Sequence, residues 1–196
     1  VLEKKFIFSI AYHSSRSGCV SERVIYPWGW EWDDSDGSGN FDLGEATKTS
    51  PDFQVIHSLA TNIASRIRKE DGGYYNPRPQ KSRNGNAHDW IYSETGCIQF
   101  LIEMGSSDIQ PLNQSLIDDT IENNRVGLFY LLREAILLES QDTKHITGIV
   151  TDAVSGDPIQ GVIFRAPEFD GSVLKPRETD LFGRYHRIIP FGEYLL

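Results

Sequence analysis

Two nearly continuous apolar runs stand out along the chain. One covers residues 6–12, and the other covers residues 98–103 and ends at Glu103. Runs of this kind, without regular polar alternation, are typical of strands buried on both faces in a parallel sheet flanked by helices. A polar, turn-rich loop begins at His13, directly after the first run. The pattern therefore predicts two central strands that each end at a residue with a titratable side chain.

Two further segments repeat apolar residues at helical spacing. Residues 51–69 begin after Ser50, a candidate N-cap, and with Pro51, which suits the first helical position. Gly72 and Gly73 would end this helix. Residues 124–139 carry a second apolar face, made of Leu128, Leu131, Leu132, Ala135 and Ile136. Strands and helices together predict an α/β first unit.

The pattern changes near His145. Short strand-like runs alternate with turn signals such as Ser155-Gly156-Asp157-Pro158, which is typical of a small antiparallel all-β sandwich. We therefore predict two units, residues 1–143 and residues 144–196.

Composition narrows the classes of protein. The net charge of −9 argues against nucleic acid as a partner, because phosphate binding needs clustered Lys and Arg. No apolar run approaches the ~20 residues that span a bilayer. The first residues lack the long apolar stretch of a signal peptide, so we expect any export signal to lie upstream. The two cysteines, Cys19 and Cys97, could form a disulfide or remain buried thiols.

Three positions could carry chemistry. His13 follows a buried strand, where ligands bind in open α/β sheets, although a single His is more often an ordinary loop residue. Glu103 has apolar neighbours, and desolvation would raise its pKa and suit it to general base work, although strand-end Glu side chains commonly face water. Asp89-Trp90 follows a polar loop of the kind that supplies substrate contacts or only connects elements.

The order of the motifs is more specific than any one of them. The strand that ends at His13 precedes Tyr26-Pro27-Trp28-Gly29, the helix at 51–69 and Asp89-Trp90-Ile91-Tyr92, and Glu103 follows Asp89 by fourteen residues. Over about residues 5–140, this order resembles the zinc metallocarboxypeptidase family. The resemblance implies that residues 1–143 are the C-terminal part of a catalytic domain, with a mixed, mostly parallel sheet flanked by helices.

The resemblance also implies roles for individual residues. His13 would be the third zinc ligand, Glu103 the general base, and Ser14 a wall of the substrate cleft. Lys81 stands where the family has a mobile tyrosine, which Tyr74 or Tyr75 could replace only if the loop is rearranged. His88 occupies the position that helps set side-chain preference and could receive an acidic or polar side chain.

The family's remaining zinc ligands come from an upstream His-x-x-Glu motif, and its substrate-binding arginines lie upstream as well. No His-x-x-Glu occurs in the 196 residues. Since one His cannot hold a catalytic zinc, we expect this chain by itself to be inactive and the full protein to be the active unit.

The segment from His145 resembles the transthyretin-like, or carboxypeptidase regulatory-like, sandwich. Its motifs follow in order: Gly148-Ile149-Val150-Thr151-Asp152, Gly156-Asp157-Pro158-Ile159, Thr179-Asp180-Leu181-Phe182-Gly183-Arg184-Tyr185 and Gly192-Glu193-Tyr194. The family continues into further strands, so we expect this unit to be cut short. Such a domain accompanies the catalytic domain without catalytic residues of its own.

The two resemblances lead to one favoured function and two alternatives. The favoured function is hydrolysis of C-terminal peptide bonds of secreted or periplasmic substrates. Cleavage of cell-wall cross-linking peptides by the same site is one alternative, and a peptide-binding module without catalysis is the other. The sequence does not indicate an oligomeric state.

Overall fold

The computed structural model describes residues 6–14, 21–28, 50–79, 86–105, 114–136, 143–167 and 177–194. In these ranges the chain forms eight strands and three helices. In chain order they are β1 (Phe8–Ser14), β2 (Arg23–Tyr26), α1 (Phe53–Ala64), β3 (Asn76–Pro79), α2 (Ala87–Thr95), β4 (Ile98–Met104), α3 (Gln114–Ala135), β5 (Thr143–Ile149), β6 (Ile163–Phe164), β7 (Arg177–Glu178) and β8 (Arg184–Pro190).

Four strands form one mixed sheet in the order β1-β4-β2-β3. β1 runs parallel to β4, with Phe8 opposite Ile98 and Ser14 opposite Met104. β2 lies antiparallel to β4 and parallel to β3. The prediction of a mixed sheet flanked by helices is therefore confirmed at the level of an α/β fold.

One face of this sheet carries the main hydrophobic core. Ile98, Phe100 and Ile102 of β4 are at most 3% exposed and lie in the same apolar cluster as side chains of α1 and α3. β1 differs from the sequence prediction, because its residues are half-buried or exposed rather than enclosed on both faces. β1 is more exposed because it lies at the edge of the described sheet, where β4 is its one neighbouring strand among the described residues.

The helices begin and end at other residues than predicted. α1 begins at Phe53, so Asp52 rather than Ser50 takes the N-cap position, and the Ser50 hydroxyl accepts a hydrogen bond from the Asp52 N–H at 3.1 Å. α3 begins at Gln114, ten residues before the predicted start at 124. α3 is 22 residues long. None of the helices in the described ranges is both long and apolar enough to cross a membrane.

Three elements were not predicted. α2 begins at the end of the stretch interpreted as a polar loop and continues through Asp89-Trp90, and its weak amphipathic pattern did not predict a helix. β2 has only four residues. β3 contains Pro77 and Pro79, which argue against a central strand, and the structure places it at the sheet edge, where proline is tolerated.

The C-terminal β segment, residues 143–167 and 177–194, forms two small antiparallel sheets in its described part. β5 pairs with β8 over seven residues, and β6 pairs with β7 over two. This arrangement does not confirm the all-β sandwich. Ile188 of β8 is 6% exposed and joins the main core, so the segment packs directly on the α/β unit.

Candidate active site

His13 and Glu103 lie side by side at the carboxyl ends of the two parallel strands. They are register partners across β1 and β4. Because directly paired residues of neighbouring strands project from the same face of a sheet, both side chains share one face. The His13 Nδ1 and Glu103 Oε1 atoms are 3.9 Å apart. The structure thus brings together the two residues on which the sequence interpretation depended.

The two side chains differ in exposure and in electrostatic surroundings. The Glu103 side chain is 14% exposed, whereas that of His13 is 57% exposed. Burial raises the pKa of the Glu103 carboxyl above its ordinary value, and the nearby His13 opposes this shift. The Glu103 carboxylate is partly desolvated and lies beside an accessible imidazole. It is therefore chemically suited to accept a proton close to any ligand that the imidazole binds.

His88 lies in the first turn of α2, which packs against β4. It is 1% exposed, and its Nε2 atom is 3.6 Å from the Asp89 Oδ1 atom. Burial, together with the smaller effect of the neighbouring His13, lowers the pKa of His88 to about 4. His88 is therefore a neutral imidazole near neutral pH. Its predicted contact with substrate stays a prediction, since that contact would require the covering side chains to move.

The other predicted substrate contacts lie at the sheet end or outside the described residues. Ser14 is exposed at the last position of β1, next to His13. Lys81 lies outside the described residues. Tyr75 is 4% exposed, and its hydroxyl accepts hydrogen bonds from the Gly105 N–H at 3.1 Å and from Asn124 at 3.3 Å. This anchored ring does not supply a mobile phenol.

The remaining described histidines and cysteine have local partners or are buried. The Tyr26 hydroxyl and the His57 Nδ1 atom are 2.9 Å apart, and His145 and His186 are hydrogen-bonded to each other at 2.8 Å. Cys97 is a buried free thiol, and Cys19 lies outside the described residues. Each of these three histidines thus has a hydrogen-bonded side-chain partner.

A second polar cluster was not found from the sequence. The Asp52 cluster consists of Ser50, Asp52, Tyr92, Arg177 and Arg187. Two arginine side chains of the C-terminal β segment each bind one carboxylate oxygen of Asp52 at 3.1 Å. Arg177 and Arg187 are 125 and 135 residues from Asp52 in the chain, so no local sequence motif predicts these ion pairs.

The zinc carboxypeptidase family model matches residues 1–127. The chain belongs to the zinc carboxypeptidase family. No curated protein matches the chain. The family match ends within α3 and gives no support for a transthyretin-like domain in the remainder of the chain.

The family implies zinc, and the described residues fit one part of such a site. His13 offers an accessible imidazole, and Glu103 offers a carboxylate beside it. Among the residues that the structure describes, no group of three or more His, Cys, Asp or Glu side chains could hold a metal ion. The fit is therefore that of one ligand and one base.

Proposed function

We propose that this chain contributes to a zinc-dependent carboxypeptidase that hydrolyses C-terminal peptide bonds. The observation that carries the proposal is the in-register pairing of His13 with Glu103 at 3.9 Å, at the carboxyl ends of parallel strands. The family match supports the same class of reaction. Zinc, when bound, polarises a carbonyl group and lowers the pKa of water.

The side chains of this chain would divide the work. His13 would hold the metal through its exposed imidazole, and Glu103 would act as general base. Glu103 accepts a proton from the water whose oxygen forms a bond to the scissile carbonyl carbon. The same carboxyl then gives this proton to the leaving amine as the C–N bond breaks, so the base is regenerated. The partial burial of Glu103 favours this role by reducing solvation of its carboxylate.

Ser14, His88 and Lys81 are the proposed substrate contacts. Ser14 lies next to His13 at the strand end and would form one wall of the cleft. His88 would give the pocket a polar floor, and an acidic or polar C-terminal side chain would be favoured over an apolar one. Lys81 would lie where family members place a mobile tyrosine.

A catalytic zinc needs two more protein ligands than His13. In the proposal they come from a His-x-x-Glu motif outside these 196 residues, so the chain by itself would be inactive. Residues 144–196 would be a transthyretin-like unit that accompanies the catalytic part. The substrate would be a secreted or periplasmic peptide.

The test uses the polypeptide that also carries the other zinc ligands. Metal analysis should find one zinc per protein, and a peptide with a free C-terminus should lose single residues from that end. The matched peptide with an amidated C-terminus should resist cleavage. A zinc-free protein that binds the free peptide without cleaving it would favour the non-catalytic binding module. Cleavage of cross-linked cell-wall peptides alone would favour that alternative substrate.

A further inference from the structure

Helix α2 connects the proposed active site to the C-terminal β segment. We propose that Arg177 and Arg187, acting through Asp52 and Tyr92, fix the position of α2 and thereby set the preference of the peptidase for the C-terminal side chain of its substrate. These are positioning residues, since they act through His88 at the other end of the contact chain. The inference rests on the proposed function.

The first step is the geometry of the Asp52 cluster. Arg187 Nη2 lies 3.1 Å from Asp52 Oδ1, and Arg177 Nη2 lies 3.1 Å from Asp52 Oδ2. The Tyr92 hydroxyl donates to Asp52 Oδ2 at 2.9 Å and accepts a hydrogen bond from Ser50 at 2.6 Å. Asp52 and Arg187 side chains are both 2% exposed. Buried, connected polar groups of this kind specify one arrangement, because any displacement leaves a charge without its partner.

The second step is a close contact at the end of α2. Gly96 is the C-cap of this helix and has a φ of 71°, in the left-handed region. A Cβ atom at Gly96 would lie 1.5 Å from Arg177 Nη1, so the guanidinium group occupies the space that a side chain would fill. Arg177 therefore contacts both the helix end and Asp52. The β segment touches α2 at its C-cap and, through Asp52, at its middle.

Helix α2 would transmit a displacement of Tyr92 to His88. His88 and Tyr92 are four residues apart in α2, so they share one helix face. The N-cap residue Asn86 makes no side-chain cap hydrogen bond, so this end lacks the usual anchor. His88 lies in the first turn of α2, and this helix packs against β4, the strand that carries Glu103. A shift at Tyr92 would therefore move His88 at the proposed pocket.

The test compares Tyr92→Phe with Tyr185→Phe in the full zinc-containing protein. Tyr92→Phe removes one hydroxyl from the Asp52 cluster and keeps the ring, whereas Tyr185→Phe removes a hydroxyl of β8 outside that cluster. Kinetics would use peptides that differ only in an acidic or an apolar C-terminal residue. Hydrogen exchange of residues 87–95 gives a measure that does not depend on activity.

We expect Tyr92→Phe to change the ratio of kcat/KM between the two peptides by about tenfold, mainly through KM, because a hydrogen bond to a buried charge is lost. Hydrogen exchange in α2 should rise by about tenfold while exchange in α1 stays unchanged. Zinc content should stay the same, and Tyr185→Phe should behave like the wild type.

An unchanged peptide ratio together with unchanged exchange in α2 would overturn the inference. So would a fall in kcat that is equal for both peptides with faster exchange in every element, because that result describes general destabilisation. If Tyr92→Phe does not fold, Arg187→Lys keeps a positive charge at Asp52 and takes the same measurements. A wild-type protein that cleaves no peptide would refute the proposed function, and the exchange data would still decide whether the cluster fixes α2.

Discussion

Two carboxylates near opposite ends of β4 lie in contrasting surroundings. Glu103, at the carboxyl end, is 14% exposed and has one imidazole at 3.9 Å. Asp52 lies near the start of the strand, where Arg177 contacts both Asp52 and Gly96, and it is 2% exposed with three side-chain partners within 3.1 Å. The same functional group is thus left open in one place and fully satisfied in the other.

The contrast between Glu103 and Asp52 indicates which buried acids are available for chemistry. Arginines donate to both oxygens of Asp52, so the side chain has little capacity left to bind a ligand. The Glu103 carboxylate lies beside the accessible imidazole of His13, and burial raises the pKa of Glu103. Partner geometry, more than burial alone, distinguishes the two carboxylates.

The largest expected effect is on turnover at the open carboxylate. Glu103→Gln should lower kcat by about 10³-fold, because the general base is lost while the zinc ligands remain. The assay is steady-state hydrolysis of a C-terminal peptide, with zinc measured in the same samples. Glu122→Gln is the matched control, since Glu122 is exposed and pairs with Arg125 on the surface of α3. Equal turnover of the Glu103 variant and the wild type would remove Glu103 from the mechanism.

The next effect is on folding stability and concerns Asp52, the carboxylate that is fully paired. Asp52→Asn should lower the free energy of unfolding by roughly 3 kcal/mol, because two arginine side chains would lose their buried counter-charge. Urea unfolding measures this change, and Asp118→Asn on exposed α3 serves as the control, with an expected change within about 0.5 kcal/mol. A cost at Asp52 no larger than that at Asp118 would contradict the contrast between the two carboxylates.

The smallest expected effect is a loss of folding stability when His186, beside the Asp52 cluster, gains a proton at low pH. Burial, with smaller effects of His145 and Arg177, lowers the pKa of His186 to about 4. Because the folded-state pKa lies below the unfolded value of about 6.5, the neutral form contributes stability that is complete above that value and is lost as the pH falls towards 4. Partial exposure reduces the expected loss to roughly 1–2 kcal/mol.

Urea unfolding at pH 7.5 and pH 4.5 would measure this loss. The matched variant is His186→Gln, which cannot gain a proton, so its stability should fall less between the two pH values. Other acids titrate in both proteins, and the comparison removes their contribution. Identical losses in the variant and the wild type would show that His186 does not couple protonation to folding.

The sequence predicted the site formed by His13 and Glu103 better than it predicted the Asp52 cluster. β1, β4 and most of α1 follow from apolar runs and helical spacing, and His13 and Glu103 each stand at the end of such a run. The meeting of the two residues then follows from parallel strands that end at one edge of a sheet. Local pattern and strand order were sufficient here.

The remaining features depend on contacts between distant segments. α2 has a weak amphipathic pattern, and its buried polar residues His88 and Asp89 belong, by composition, to a surface loop. The Asp52 cluster joins residues more than a hundred positions apart, and Asp52 by itself only indicated a helix start. Such long-range ion pairs leave no periodic signal in the sequence.

The prolines of β3 have a consequence for the edges of the sheet. The Asn76 N–H bonds to the Glu22 carbonyl at 3.3 Å and so points towards β2. Because backbone groups two residues apart point the same way, Pro77 and Pro79 share the outer side and leave it without N–H donors. A stray strand could not form a regular ladder there, and aggregation along that rim would be suppressed. Within the described sheet, the opposite edge is β1, which contains no proline and so keeps the N–H donors that further pairing needs.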